Sequence, residues 1–443
     1  MTGDERRKNI FVIGLDKFHE RQLESVQHAE RYHFHPLLPY EEVVTPDRYD
    51  MQRLIGDAVQ QLESFDGAID GVIGHWDFPT TSLLPILSRR FDLRTPTLEA
   101  TLRCEHKYWS RIEQARVVPE MVPAFDVVDP FDDDAWEKLE VQTPFWIKPV
   151  KAFSSYLGFR VDDHDDFEEA MRRTRQGIGL IAEPFDWVLE EARDMGDLPH
   201  VGGRHCIAEA FIGGHQCTLE GYVFEGEAII YGVIDSIRGS NCSSFLRYEY
   251  PSELPKEVQE RMSDATRRIM RSIGYDNGCF NIEFYYDDET DGLKVLEINP
   301  RLSKSHCPLF HLVAGASHHE AAIGIAIGRP PEFPRHDGEY RHAAKFMLRR
   351  FEDGIVQSLA SPEKVERIER DHPGVFIKLA VEQGQQLSDL PPQDQDSYSY
   401  EVGVIFVGSH SREELREKYL EILDALHLEY DDGKGDAAVD AAP

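Results

Sequence analysis

Apolar residues in the first hundred positions come in short runs separated by amphipathic stretches. NIFVIGL predicts a first strand, HERQLESVQHAERY a helix and YHFHPLL a second strand. MQRLIGDAVQQLESF predicts a helix, GAIDGVIG a third strand and TSLLPILSRRFD a further helix. Strands alternating with helices specify a parallel βαβ layer. From residue 106 the pattern changes. CEHKYWSRIEQARVVPEMVPAF predicts a helix ending near a proline-punctuated strand, PFWIKPV a strand, DDFEEAMRRTRQG a helix and RHCIAEAFI a strand. TLEGYVFEGEAIIYGVIDS alternates as a hairpin with EGE at its turn. EVQERMSDATRRIMRSIGY has helical periodicity, with Gly274 placed to cap its C-terminus. NIEFYY and LKVLEINP predict two strands joined by DDETDG, and residues 335–430 mix strand and helix patterns. No segment repeats at a solenoid period.

A chain of 443 residues exceeds one ordinary core, so several domains are expected. The boundaries drawn from the pattern are 1–105, 106–330 with a subdomain at about 140–210, 331–430, and a polar tail at 431–443 with nothing to bury. The formal charge of −33 repels phosphate backbones and anionic lipid, which excludes general binding to nucleic acid or membranes. Solubility accounts for that charge; adaptation to a salty interior is the alternative. Six cysteines (Cys104, Cys206, Cys217, Cys242, Cys279, Cys307) show neither zinc spacing nor a Cys-x-x-Cys pair. The polar start MTGDERRKN lacks a signal core, and no apolar run is long enough to cross a bilayer. A cytoplasmic location with reduced thiols is the expectation.

The chemistry concentrates at 281–286 and 293–301. Alternate residues of a strand share a face, so Glu283 groups with Asn281, and Glu297 with Asn299. A register pairing 283 with 297 would bring two carboxylates and an amide oxygen together, an unfavourable arrangement unless a cation sits between them. Hard oxygen donors of this kind suit magnesium, with phosphate oxygens and water completing its shell. Arg301 is close enough in sequence to reach the same phosphates. Lys148 is held extended by Pro149. Lys151 and the turn carrying Ser154, Ser155 and Gly158 follow, with amides and hydroxyls for phosphate oxygens. Lys107 lies on a helix ahead of that strand, and Glu209 ends an apolar strand before two glycines. His75, Trp76 and Asp77 stand beyond the third strand, where parallel sheets place ligands. Arg238 is a candidate for a substrate carboxylate or phosphate. His306, Cys307 and His311 follow Arg301 closely and are expected to pack near the pocket more than to line it.

In order and spacing these residues resemble the ATP-grasp superfamily over about 9–430. The resemblance implies an α/β and α+β fold: a βαβ domain, the ATP-grasp fold, then a small C-terminal α+β domain. The layout is similar to carbamoyl-phosphate synthetase and biotin carboxylase, and closest in type to amino-acid ligases. LRCEHKYWSRI and PFWIKPVKAFSSYLGFRV would then supply the nucleotide lysines, Lys107 and Lys148, and a phosphate loop with Ser154, Ser155 and Gly158. IAEAFIGGHQCTLEGYV resembles the hinge strand, which sets Glu209, Phe211 and Ile212 at the adenine and Gln216 at the ribose. NIEFYY and LEINPR resemble the metal strands, which gives Glu283, Glu297 and Asn299 the metal roles; Arg301 and Arg238 take catalytic ones. The implied cofactors are ATP and one or two Mg2+, with Mn2+ as a substitute. The implied function is an ADP-forming ligase that joins a small-molecule carboxylate to an amine through an acyl phosphate. A homodimer stays open, as do biotin carboxylase-like carboxylation, an AMP-forming ligase and a catalytically silent nucleotide binder. No Met-Lys-Met biotinylation motif occurs. Two departures stand out: a phosphate loop poor in glycine, and an insertion-like stretch at 180–205.

Overall fold

The computed structural model describes residues 6–46, 48–152, 156–193, 199–239, 244–335, 337–391, 394–395 and 398–431. Three parallel strands open the chain, β1 (Lys8–Ile13), β2 (Tyr32–Leu37) and β3 (Gly71–Ile73), in the order β2-β1-β3. β1 is covered on both faces. Phe11 and Ile13 join one core with the helix Met51–Glu63, and Ile10 and Val12 join another. That second core draws Ile323 and Ala326 from the distant helix His318–Ala326. The two-sided burial accounts for the unbroken apolar run of NIFVIGL.

Four antiparallel strands form the next layer: β4 (Phe125–Val128), β5 (Phe145–Pro149), β6 (Phe159–Val161) and β7 (Cys206–Ala210), in the order β4-β7-β5-β6. The helix His164–Gly177 closes over this sheet with Phe167, Ala170 and Met171. The 180–205 stretch has a structural role. Its helix, Gly179–Glu191, buries Ile181, Phe185 and Val188 in the core of the N-terminal module and ties the small sheet to it.

The largest sheet is antiparallel and eight-stranded. It begins with β8 (His215–Phe224), β9 (Glu227–Arg238), β10 (Phe245–Tyr250), β11 (Gly278–Asp287) and β12 (Gly292–Asn299). β13 (His342–Arg350), β14 (Val356–Ser358), β15 (Val375–Leu379), β16 (Tyr400–Ser409) and β17 (Glu429–Tyr430) follow. The order is β12-β11-β8-β9-β10-β13-β16-β15, while β14 and β17 pair with each other. Residues 331–430 therefore do not form a layer of their own. Their long strands extend the central sheet through the β10–β13 ladder, because β13 carries apolar residues on both faces. Helix Lys256–Ile273, capped by Gly274 in the left-handed region as expected, covers the β8, β11 and β12 end.

Two other expectations change. The helix around 106 is two helices, Leu98–Glu105 and Lys107–Val117, with His106 between them. The first amphipathic stretch is helical only over Lys17–Glu24, then becomes a short 3-10 turn before β2. Cys104, Cys206, Cys217, Cys279 and Cys307 are free and buried, while Cys242 and residues 432–443 lie outside the described residues. Among the described residues no helix is long and apolar enough to cross a membrane.

Phe310, on the helix Cys307–Ala314, is fully buried against Tyr250 and Tyr231, with ring centroids 4.1 and 5.3 Å away. Its ring also occupies the space above Gly232, where a Cβ would fall 2.6 Å from it. Phe310→Ala should cost about 3–5 kcal/mol, read as a lower urea midpoint.

Candidate nucleotide and metal site

The connection DDETDG sets the register of β11 and β12 next to the turn, and a bulge at Leu296, between the Phe284–Val295 and Glu283–Glu297 pairs, shifts it by one residue. Asp287 accepts hydrogen bonds from the Glu289 amide (3.0 Å) and the Thr290 hydroxyl (2.6 Å), and Asp291 takes a left-handed conformation. The strands then pair Glu283 with Glu297 and Asn281 with Asn299. The Asn299 amide donates to Asn281 Oδ1 at 3.0 Å and reaches Glu283 Oε1 at 3.5 Å. Burial, reinforced by the facing Glu297, pushes the Glu283 carboxyl up. Burial works the same way on Glu297, but Lys107 and Lys148 outweigh it and hold that carboxyl below its ordinary range.

The cations come from three other elements. His106 caps the helix Lys107–Val117, its ring accepting from the Trp109 amide. This start places Lys107 Nζ 3.8 Å from Glu297 and 2.8 Å from the Ala152 carbonyl. One turn on, Arg111 lies on the same helix face and is fully buried. It donates to Gln114 (2.6 Å) and to the carbonyls of Val295 (2.7 Å) and Leu296 (2.6 Å), which clamps the helix to β12. Arg111 also pairs with Glu209, whose other oxygen binds Lys148 Nζ at 2.8 Å. Burial raises the Glu209 carboxyl, yet Arg111 and Lys148 bring it to about 2.

A third charge cluster links the modules. Lys151 lies 2.9 Å from both Asp77 and Glu105, and Arg301 donates to the other Asp77 oxygen at 3.0 Å. Glu105 is fixed in turn by the hydroxyls of Thr81 (2.7 Å) and Ser82 (3.1 Å). Despite burial, Lys151 and Arg301 hold Asp77 well below the usual carboxylate range. The cleft between these elements encloses about 360 Å³ of atom-free space, its mouth included, lined by Lys107, Arg111, Lys151, Glu209, Glu297 and Asn299 among others.

Residues 141–308 match the family of the ATP-grasp domain. The chain contains an ATP-grasp domain. Its sequence is 27% identical over 153 residues to acetyl-CoA carboxylase 2 of Oryza sativa subsp. japonica, covering 32% of this chain and only 6% of that protein. An uncharacterised protein of Sinorhizobium fredii, y4rH, is 25% identical over 425 residues, covering 92% of this chain and 80% of the relative. The fold matches an L-amino acid ligase from Bacillus licheniformis with a TM-score of 0.69, 19% identity and coverage of 96% of this chain and 100% of that one. A biotin carboxylase from Campylobacter jejuni matches with a TM-score of 0.65, 16% identity and coverage of 95% and 92%.

Of the residues singled out in sequence, the fold brings together Lys107, Lys148, Glu209, Glu297 and Asn299, with Glu283 and Arg301 at their border. Ser154 and Ser155 lie outside the described residues, and Gly158 is buried just before β6. Phe211 is exposed beneath the Arg160 guanidinium (5.1 Å), and Ile212 is half-buried beside it. Two of these residues have partners that spacing did not suggest. Both Glu209 oxygens are engaged, one by Arg111 and one by Lys148, so this carboxylate positions a lysine. Gln216 is held by three side chains. Its amide donates to Glu283 Oε2 at 2.7 Å, and its oxygen accepts from Arg238 (2.7 Å) and Tyr285 (2.8 Å). Sequence reasoning missed Arg111, although its spacing of four from Lys107 was a usable signal. His306 and Cys307 are buried as packing residues, and His306 bonds to Glu220 at 2.6 Å.

The sign of the Glu209 shift sets a pH dependence. An unfolded glutamate titrates near ~4.3, so the stabilisation from this depressed carboxyl, about 3 kcal/mol, is complete above about pH 5 and lost as pH falls toward 2. Glu209→Gln leaves Arg111 and Lys148 buried without their counter-charge and should cost about 3–5 kcal/mol at pH 7. Urea unfolding should show that the gap from the parent protein narrows at pH 3.

Proposed function

We propose that this chain is an ADP-forming ligase that activates a small-molecule carboxylate with ATP and joins it to an amine. The observation that carries the reading is the apposition of Glu283 and Glu297 beside Lys107, Lys148 and Arg301. Two half-buried carboxylates face each other without a cationic side chain between them, which is the arrangement a divalent cation relieves. Among the described residues no three His, Cys, Asp or Glu side chains gather as a metal cage. A cation here would thus take only part of its shell from protein, as magnesium in phosphate sites does. Glu283, Glu297 and Asn299 would hold one or two such ions. When bound, the ion neutralises phosphate charge and orients the triphosphate.

The chain's own groups meet the remaining demands. Lys107 and Lys148 face the phosphates as point charges, and the Glu209 bridge fixes the second of them. Arg301 has a planar fork suited to the oxygens of a transferring phosphoryl group, and Asp77 holds it at the cleft. In the proposed reaction a substrate carboxylate oxygen bonds to the γ-phosphorus as ADP leaves. The amine then bonds to the acyl carbon, expelling phosphate and losing a proton. The fold shared with an L-amino acid ligase along nearly the whole chain supports this direction.

Glu297→Ala should lower magnesium-dependent ADP formation by about 10²-fold or more, assayed with pooled carboxylates and amines. Its circular dichroism should match the parent. Parental turnover in the variant would remove the metal assignment, and AMP as the nucleotide product would remove the acyl-phosphate route.

A further inference from the structure

A second basic locus lies one residue along from the Arg301–Asp77 contact. Trp76, the neighbour of Asp77, is buried and anchored by its indole N–H to the Gly14 carbonyl at 2.8 Å. Lys304 Nζ rests 3.9 Å from the Trp76 ring centre. Among the described residues it makes neither a hydrogen bond nor an ion pair. Lys345, buried on β13, bonds among the described residues only the Ser305 hydroxyl, at 3.2 Å, and its Nζ stands over the Tyr248 ring at 5.7 Å. Tyr248 is its cross-strand partner on β10. Lys345 shares a sheet face with Phe406 and, through the β15–β16 pairing, with Phe376 and Lys378. Lys378 closes the rim, 3.7 Å from Asp16 and over the Phe18 ring.

Two buried or half-buried ammonium groups without a carboxylate partner are costly in any protein. Here they occur in a chain with 81 acidic and 48 basic side chains, where a partner was easy to supply. Of the nearby carboxylates, Glu401 pairs with Arg349 at 3.0 Å and Asp16 binds His19 at 2.6 Å, while Asp394 acts on Lys304, Lys345 and Lys378 from beyond ion-pair distance, its own carboxyl pushed up to about 6 by burial and Glu401. Burial, then Lys378 and Lys345, bring the Lys304 ammonium down to about 7, and an anion beside it would favour its charged form. The direct route from this locus to Arg301 runs along residues 301–304.

We infer that Lys304 and Lys345, with Lys378 at the rim, form a subsite for an anionic group, carboxylate or phosphate, that a substrate carries in addition to the carboxyl group being activated. The inference rests on the ligase reading for the word substrate, but the anion site itself is testable without turnover. Its geometry favours a dicarboxylate, an acidic amino acid or a phosphorylated acceptor over a singly charged one.

Calorimetry on the full chain with Mg·ADP should compare matched probes: succinate with propionate, L-glutamate with L-glutamine, and O-phosphoserine with serine. The doubly anionic member of a pair should bind at least tenfold more tightly, and which pair shows the gap distinguishes carboxylate from phosphate. Lys304→Met and Lys345→Met should each erase that gap while leaving Mg·ADP affinity and melting temperature intact, and Lys304→Arg should retain it. Equal binding within every pair, or a gap that survives both methionine variants, overturns the subsite. Lysine-dependent anion binding without ADP formation would keep the subsite and refute the ligase. ADP formation from singly charged carboxylates, unaffected by the lysine variants, would do the opposite.

Discussion

The strand pairing that sets Glu283 opposite Glu297 is the constraint around which the rest of the site is arranged. A sheet gives no freedom here: a slip of one residue would send both carboxylates to the opposite face. The hydrogen-bonded turn at 287–292 and the bulge at Leu296 together set the pairing. Once the register is set, the electrostatics follow. One carboxylate is pushed toward its neutral form by burial and by the other, while the other stays acidic because two lysines face it. The pair is unequal, and the inequality comes from which cations each can see.

Holding those cations is the work of buried ion pairs whose value lies in position more than in stability. A buried pair seldom gains much over an apolar substitute, but breaking one is expensive. Arg111, Glu209 and Lys148 form such a chain, and it spans the helix Lys107–Val117, β12, β7 and β5. Lys151, Glu105, Asp77 and Arg301 form a second one between the N-terminal module and the end of β12. The two chains use three carboxylates to orient four cations. In a protein of net charge −33 these cations offset the negative charge of the cleft locally, as the proposed triphosphate requires.

The elements that carry chemistry were largely legible, because strand alternation and the charged residues at their ends are local signals. Glu283, Asn281, Glu297 and Asn299 shared faces as period two requires, and only the register had to be supposed. What escaped was non-local. Glu209 and Gln216 are strand residues whose partners lie far away in sequence, so their engagement with Arg111, Lys148, Glu283 and Arg238 could not be read from spacing. The 180–205 stretch looked like an insertion because its apolar face packs against the helix Met51–Glu63, more than a hundred positions earlier. The C-terminal strands read as a separate module because nothing local marks a strand as the next neighbour of β10.

That last miss has a functional consequence. If residues 342–409 formed their own sheet, Lys345 and Lys378 would have no fixed relation to the β11–β12 pair. As strands of one continuous sheet they are held in register with it, through β10, β9 and β8. The proposed nucleotide end and the proposed anion end are thus two regions of a single hydrogen-bonded surface. The stretch from Arg301 to Ser305 runs between them and is fastened at both ends: Arg301 to Asp77, and Ser305 to Lys345. Reactants on such a surface are aligned by the scaffold itself. Alignment, with charge compensation, is what phosphoryl transfer asks of a protein.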